Sequence, residues 1–162
     1  MLRVIGGWLL PLSLMLTCSA HAQPPREMGL EPDAILQDID ARGARAVLAR
    51  ASTNEALFDG IETGHPKWLE VARRLRAVSD ASTTLSLNYA VARALPNAPD
   101  QVLLLVGRGF TLDDVCTSPY IEPEPGVAEN YARRAEVALR RVTAPELTRL
   151  RDRCLASVRL RP

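Results

Sequence analysis

Val102–Val106, "VLLLV", is the longest run of consecutive Val, Leu or Ile in the chain. Such a run is either a buried strand or the buried part of a short helix, and periodicity alone does not separate them. The choice decides the fold class. A strand needs a partner, and no second stretch reads as a strong strand. Asn97, with Pro99 just inside, marks a helix start, and Gly107 marks a stop. The run is read as a short helix, and the chain as all-α.

Working back from this stretch, the sequence repeats start and stop signals at short intervals. Pro32 opens a helix in which Ile35, Leu36, Ile39, Ala46 and Val47 form one stripe, with Gly43 inside it. Ser52 and Glu55 have capping-box spacing ahead of Leu57, Phe58 and Ile61, and Gly64 is a stop. His65-Pro66 opens the next helix, turning Trp68, Leu69, Ala72 and Leu75 inward. Asp80 or Ser82 opens another, with Leu85, Tyr89, Ala92 and Leu95 inside and Pro96 at its end. Tyr89, Ala92 and Pro96 are spaced like the end of a tetratricopeptide motif. The proline stands one residue early and the roughly 34-residue period does not recur, so a stack of helical pairs and an irregular bundle both stay open.

Working forward, Thr111 and Asp114 cap a short helix that reaches Cys116. Then comes "VCTSPYIEPEPG", Val115–Gly126. Pro119, Pro123 and Pro125 donate no backbone hydrogen bond and push their predecessors out of helix, so residues 117–126 are read as an extended, polyproline-like surface loop. Gly126 leads into the clearest helix. Val127, Tyr131, Ala135, Ala138 and Val142 line one face, and Glu129–Arg133 and Glu136–Arg140 are i,i+4 pairs. Thr143 and Glu146 form a T-x-x-E box around Pro145, and the last helix places Leu147, Leu150, Cys154 and Val158 together. Residues 127–159 thus form a C-terminal helical hairpin. The expected fold is a single-domain bundle or short array of about eight helices over residues 32–162.

The N-terminus speaks to location. Arg3, an apolar run and the small-residue series ending in Ala20 and Ala22 follow the order of a signal peptide, with residues 1–22 removed. Residues 23–31 read as a loose leader. The apolar run is broken by Pro11 and is shorter than the roughly 18 residues of a span, so no transmembrane span is expected in the mature chain. Lipid anchoring through Cys18 is disfavoured by Thr17, since lipoboxes place a small residue such as Gly, Ala or Ser there. The expected location is periplasmic or secreted. Two cysteines remain after cleavage, Cys116 and Cys154, and an even pair in an exported chain is read as a disulfide.

The chemistry of the remaining chain is sparse. One histidine survives cleavage, His65, at a helix start and without a second histidine at zinc-ligand spacing. No G-x-S-x-G nominates a nucleophile. Gly107-Arg108-Gly109 follows the apolar run like the start of a dinucleotide fingerprint, but Leu112 stands where the third glycine belongs. Asp113 and Asp114 fit the first turn of a helix, where the macrodipole favours acids. No calcium loop is present. Neither a cofactor nor a metal is expected.

The mature chain is neutral, which argues against a nucleic-acid partner. Charge is divided, however: residues 23–125 carry 10 basic and 15 acidic side chains, and residues 126–162 carry 9 and 4. Arg133 and Arg140, and Arg134 and Arg141, share helix faces that are read as solvated. The functional expectation is a non-catalytic protein- or ligand-binding molecule of the envelope or exterior. It would act through a helical groove or through Tyr120, Ile121, Glu122 and Glu124 on the proline loop. The alternative is an exported hydrolase using carboxylates with His65.

Overall fold

Turn and capping chemistry partition the chain, and apolar faces then close it up. The structure is a computed structural model describing residues 31–160, with side chains to Val158. Residues 1–22, read above as a signal peptide and including Cys18, and all of the expected leader but Glu31 lie outside the described residues. Among these, nine α-helices follow one another: α1 (Pro32–Arg42), α2 (Ala44–Ala51), α3 (Glu55–Glu62), α4 (Pro66–Arg76), α5 (Ala81–Ala94), α6 (Pro99–Leu103), α7 (Leu112–Val115), α8 (Val127–Leu139) and α9 (Thr148–Leu160). A 3-10 turn, Pro145–Leu147, precedes α9. There is no sheet among the described residues. One isolated bridge joins Val106 to Phe110.

That bridge accounts for "VLLLV". Only its first two residues are helical. Leu104 caps α6 and is exposed, Leu105 turns back into the core, and Val106 begins a tight loop. The Gly107 N–H closes the loop on the Phe110 carbonyl at 2.9 Å, with Gly107 at φ +81°. The helix N-cap is Ala98, not Asn97, whose side-chain amide instead donates to the Glu62 carbonyl at 3.0 Å.

The single helix expected through Gly43 is two helices. Gly43 sits at φ +84° with nothing within 4 Å of where a Cβ would lie, so the backbone sign, not a close approach, uses the glycine. The bend exposes Ala46 and buries Val47 and Leu48. Asn54, not Ser52, caps α3, accepting from the Ala56 N–H at 3.1 Å. His65 caps α4 and Asp80 caps α5. The inward face of α5 also differs from the expected stripe. Leu85 is 45 % exposed, and Leu87, Asn88, Ala90, Val91 and Ala94 are buried beside Ala92 and Leu95. A 14-residue helix gripped by neighbours on several sides buries more than one stripe. Thr143 makes no capping box; Ala144 leads into the 3-10 turn without a side-chain cap.

The core is one cluster from Ile35 in α1 to Val158 in α9, with Leu57, Ile61, Leu75, Leu87, Leu103 and Leu139 fully enclosed. Helix α5 lies at its centre, packed on α3, α4, α6 and α7. Asn88 is the one buried polar residue among the described residues. It donates to Asp114 at 2.7 Å and accepts from Arg76 Nε at 2.9 Å, tying α4, α5 and α7 together. Asp114 also forms a capping box with Thr111 at the helix start expected there. Helices α8 and α9 pack as the expected C-terminal hairpin. Its Glu136–Arg140 pair forms at 2.7 Å, while Glu129 and Arg133 make no ion pair among the described residues.

Candidate functional site

Cys116 follows α7 and bonds to Cys154 of α9, with the two Cα atoms 5.2 Å apart. Both sulfurs are buried. The proline segment, called here the strap, begins at this fixed point. Its next residues are held from below. Pro119 is buried, and its carbonyl accepts from Arg93 Nη1 at 3.1 Å. The same guanidinium donates through Nε to Glu62 of α3. Tyr120 lies edge-on against Tyr131 of α8 with ring centroids 5.8 Å apart. The Tyr131 hydroxyl donates to the Ala92 carbonyl at 2.7 Å, and burial first, then Tyr120 beside it, pushes its ionisation well above the usual phenol range.

After Tyr120 the strap leaves the body. Ile121 is 71 % exposed, the most exposed of the large apolar residues among those described. Glu122 takes φ +47° just before Pro123. A non-glycine residue in that region costs roughly 1–3 kcal/mol, so the expected straight polyproline run is replaced by a bend. Glu122, Pro123, Glu124 and Pro125 are exposed, and the Glu124 carbonyl accepts the Val127 N–H at 3.1 Å as α8 begins. The four strap residues named from sequence therefore divide. Tyr120 is the inward anchor, and Ile121, Glu122 and Glu124 form the outward display.

Two shallow grooves lie on the surface of the helical body. One, of about 300 Å³, lies between Glu55, Phe58, Asp59 and Glu62 of α3 and Ser86, Tyr89 and Arg93 of α5. The other, of about 330 Å³, runs along α8 between Asn130, Arg133, Arg134, Val137, Ala138 and Arg141, with Pro96 opposite. Its lining holds three arginines and no acid. Val137 on its floor is 50 % exposed, and Arg134 is held across it by Asn97 at 3.3 Å. The sequence pattern alone places these arginines on a solvated face. The legible signal was Val137, an apolar residue outside the buried stripe of α8.

His65 does not meet the Asp113–Asp114 pair. His65 caps the start of α4, its Nδ1 accepting from the Lys67 N–H at 3.3 Å. Asp114 lies against Arg76 at the other end of that helix, with 3.8 Å between Arg76 Nη2 and its carboxylate. The intervening length of α4 is about 15 Å at 1.5 Å per residue. His65 borders an open groove of about 660 Å³ with Glu31, Thr63, Trp68, Asn97 and Gln101, to which neither Asp113 nor Asp114 contributes. Asp113 is exposed. Among the described residues, no helix is long and apolar enough to cross a membrane, and no three His, Cys, Asp or Glu side chains are placed to hold a metal ion.

The chain matches no protein-family profile, no curated protein and no solved structure.

Proposed function

We propose that this is an exported, non-catalytic binding protein of the cell envelope or exterior, which docks a protein partner on its strap. One observation carries the reading. Ile121 is held 71 % exposed on a segment whose root is fixed by the Cys116–Cys154 bond, by Arg93 under Pro119 and by the Tyr120–Tyr131 contact. A free apolar side chain on a mobile loop has little binding value, because each ordered rotamer-rich side chain costs about 0.5–1.5 kcal/mol on association. Here the backbone beneath it is ordered beforehand. Prolines 123 and 125 restrict the outer half in the same sense. The proposed export is supported by the signal-peptide order of residues 1–22 and by the disulfide, a bond at home in oxidising compartments.

The test is a comparative pull-down from envelope extract with wild type and Ile121→Ala. A partner recovered by wild type and lost from the variant supports the reading; equal recovery of every partner refutes it. Mass spectrometry of the secreted or periplasmic protein checks export independently. The expected species begins at Gln23 and is two hydrogens lighter than its reduced form.

A further inference from the structure

The outward strap and the groove on α8 are complementary to each other in both charge and apolarity. The strap presents Ile121 flanked by Glu122 and Glu124, all exposed. The groove presents Val137, Ala138 and Pro96, rimmed by Arg133, Arg134 and Arg141. Within one molecule these groups do not meet. Among the described residues, the side chains of Glu122, Glu124, Arg133 and Arg141 make no hydrogen bond or ion pair. The strap cannot swing into its own groove, because the disulfide, Arg93 and Tyr131 hold its root.

We propose that the occupant of the groove is the strap of a second copy of this chain, in a two-fold symmetric dimer. This rests on the strap being a docking element, and it names the partner. The connectivity favours a closed pair. The strap runs directly into the first turn of α8, and the groove lies along the same helix. Val127 and Val137 are about 15 Å apart along the axis at 1.5 Å per residue. Two α8 helices side by side and antiparallel therefore bring each strap to the other's groove. Such an interface uses the same contact twice and closes on itself without growing into a filament. In each contact the Glu122 and Glu124 carboxylates face arginines whose guanidinium geometry suits carboxylate recognition. Ile121 covers the exposed Val137, which gives the otherwise unpartnered apolar atoms on both surfaces a cover.

The pairing predicts its own rescue experiment. Sedimentation velocity is run on the oxidised mature protein over a concentration series, at low and high salt. Wild type is expected to dimerise, and the dimer to weaken as salt screens the charge pairs. Glu122→Arg with Glu124→Arg should weaken association about 100-fold or more, since attraction turns to repulsion in both contacts. Arg133→Glu with Arg141→Glu should do the same. Mixed one to one, the two variants regain complementarity in both contacts, and the heterodimer should form at wild-type affinity. Circular dichroism and intact-mass measurement confirm that each variant is folded and oxidised before mixing.

Wild type remaining monomeric at low salt overturns the proposal, as does a mixture that fails to recover association. Binding of monomeric wild type to anionic phospholipid vesicles, lost in Arg133→Glu with Arg141→Glu, would also overturn it by assigning the groove to a lipid surface. The two readings of the strap stay separable. A monomeric wild type with an Ile121-dependent envelope partner removes only the dimer. A rescued dimer with no such partner makes self-association the strap's whole role.

Discussion

Reducing the Cys116–Cys154 bond should cost about 4 kcal/mol of folding stability. The two residues are 38 apart in sequence, so the bond closes a loop of 39 residues counting both ends. In the chain-entropy description, closing such a loop removes about 13 cal/mol/K from the unfolded ensemble, or about 4 kcal/mol at room temperature. The loop contains the strap, α8 and the link to α9, so the whole C-terminal hairpin is tethered by one bond. Both sulfurs are buried, so reduction leaves two thiols of nearly the same volume and opens little cavity. The loss should therefore come from the unfolded state. Urea unfolding monitored by circular dichroism, with and without reductant, measures it. The urea dependence of the free energy should also steepen on reduction, because an uncrosslinked chain exposes more surface when it unfolds. A difference below about 1 kcal/mol would refute the reasoning, because it would mean that the open chain is already restrained.

Three other outcomes test the interior and the caps. Asn88→Ala should cost about 2–3 kcal/mol in urea unfolding, because it strips Asp114 and Arg76 of a shared partner in a partly buried network. Gly60→Ala should destabilise despite alanine's better helix propensity. Its Cβ would lie 2.5–2.7 Å from the Trp68 ring, and overpacking of that kind costs roughly 1–3 kcal/mol. In a chain that begins at Gln23, Trp68 is the single tryptophan, and its fluorescence should shift in that variant. Asp80 caps α5, and the Thr83 N–H holds its carboxyl below the usual range, as does Ser82 more weakly. With the folded value below the unfolded one, its contribution is present above the ordinary aspartate value of about 4 and is lost as pH falls through the folded value. Asp80→Asn should therefore flatten part of the acid limb of the stability curve.

Local signals in the sequence were sufficient at several helix ends, though not at Gly43 or Thr143. Gly64 after α3, Pro66 inside α4, the Thr111–Asp114 box and the Gly126 start of α8 each follow from one residue's dihedral or hydrogen-bonding limits. Of the stripe expected on α8, Tyr131, Ala135, Ala138 and Val142 are buried, whereas Val127, in the first turn, is 39 % exposed. Where the choice lay between near neighbours, packing decided. Asn54 displaced Ser52 as a cap, and Ala98 displaced Asn97 because the Asn97 amide serves the Glu62 carbonyl. On α5, which packs against α3, α4, α6 and α7, a single-stripe pattern could not name the buried face.

By itself, the sequence determined the helical class, break points such as Gly64 and Gly126, and the pair of cysteines available to bond. Those depend on residue type and spacing along the chain. Only the tertiary structure decided which parts of the strap face in or out. Tyr120 and Ile121 are adjacent apolar residues with nothing in the sequence to rank them. It took Tyr131 from α8 and Arg93 from α5 to seat the segment through Tyr120 and Pro119, leaving Ile121 outside. The groove among Arg133, Arg134 and Arg141 is likewise a product of packing. It exists because Pro96, far away in the chain, lies opposite α8 and makes a wall of what would otherwise be an open helix face.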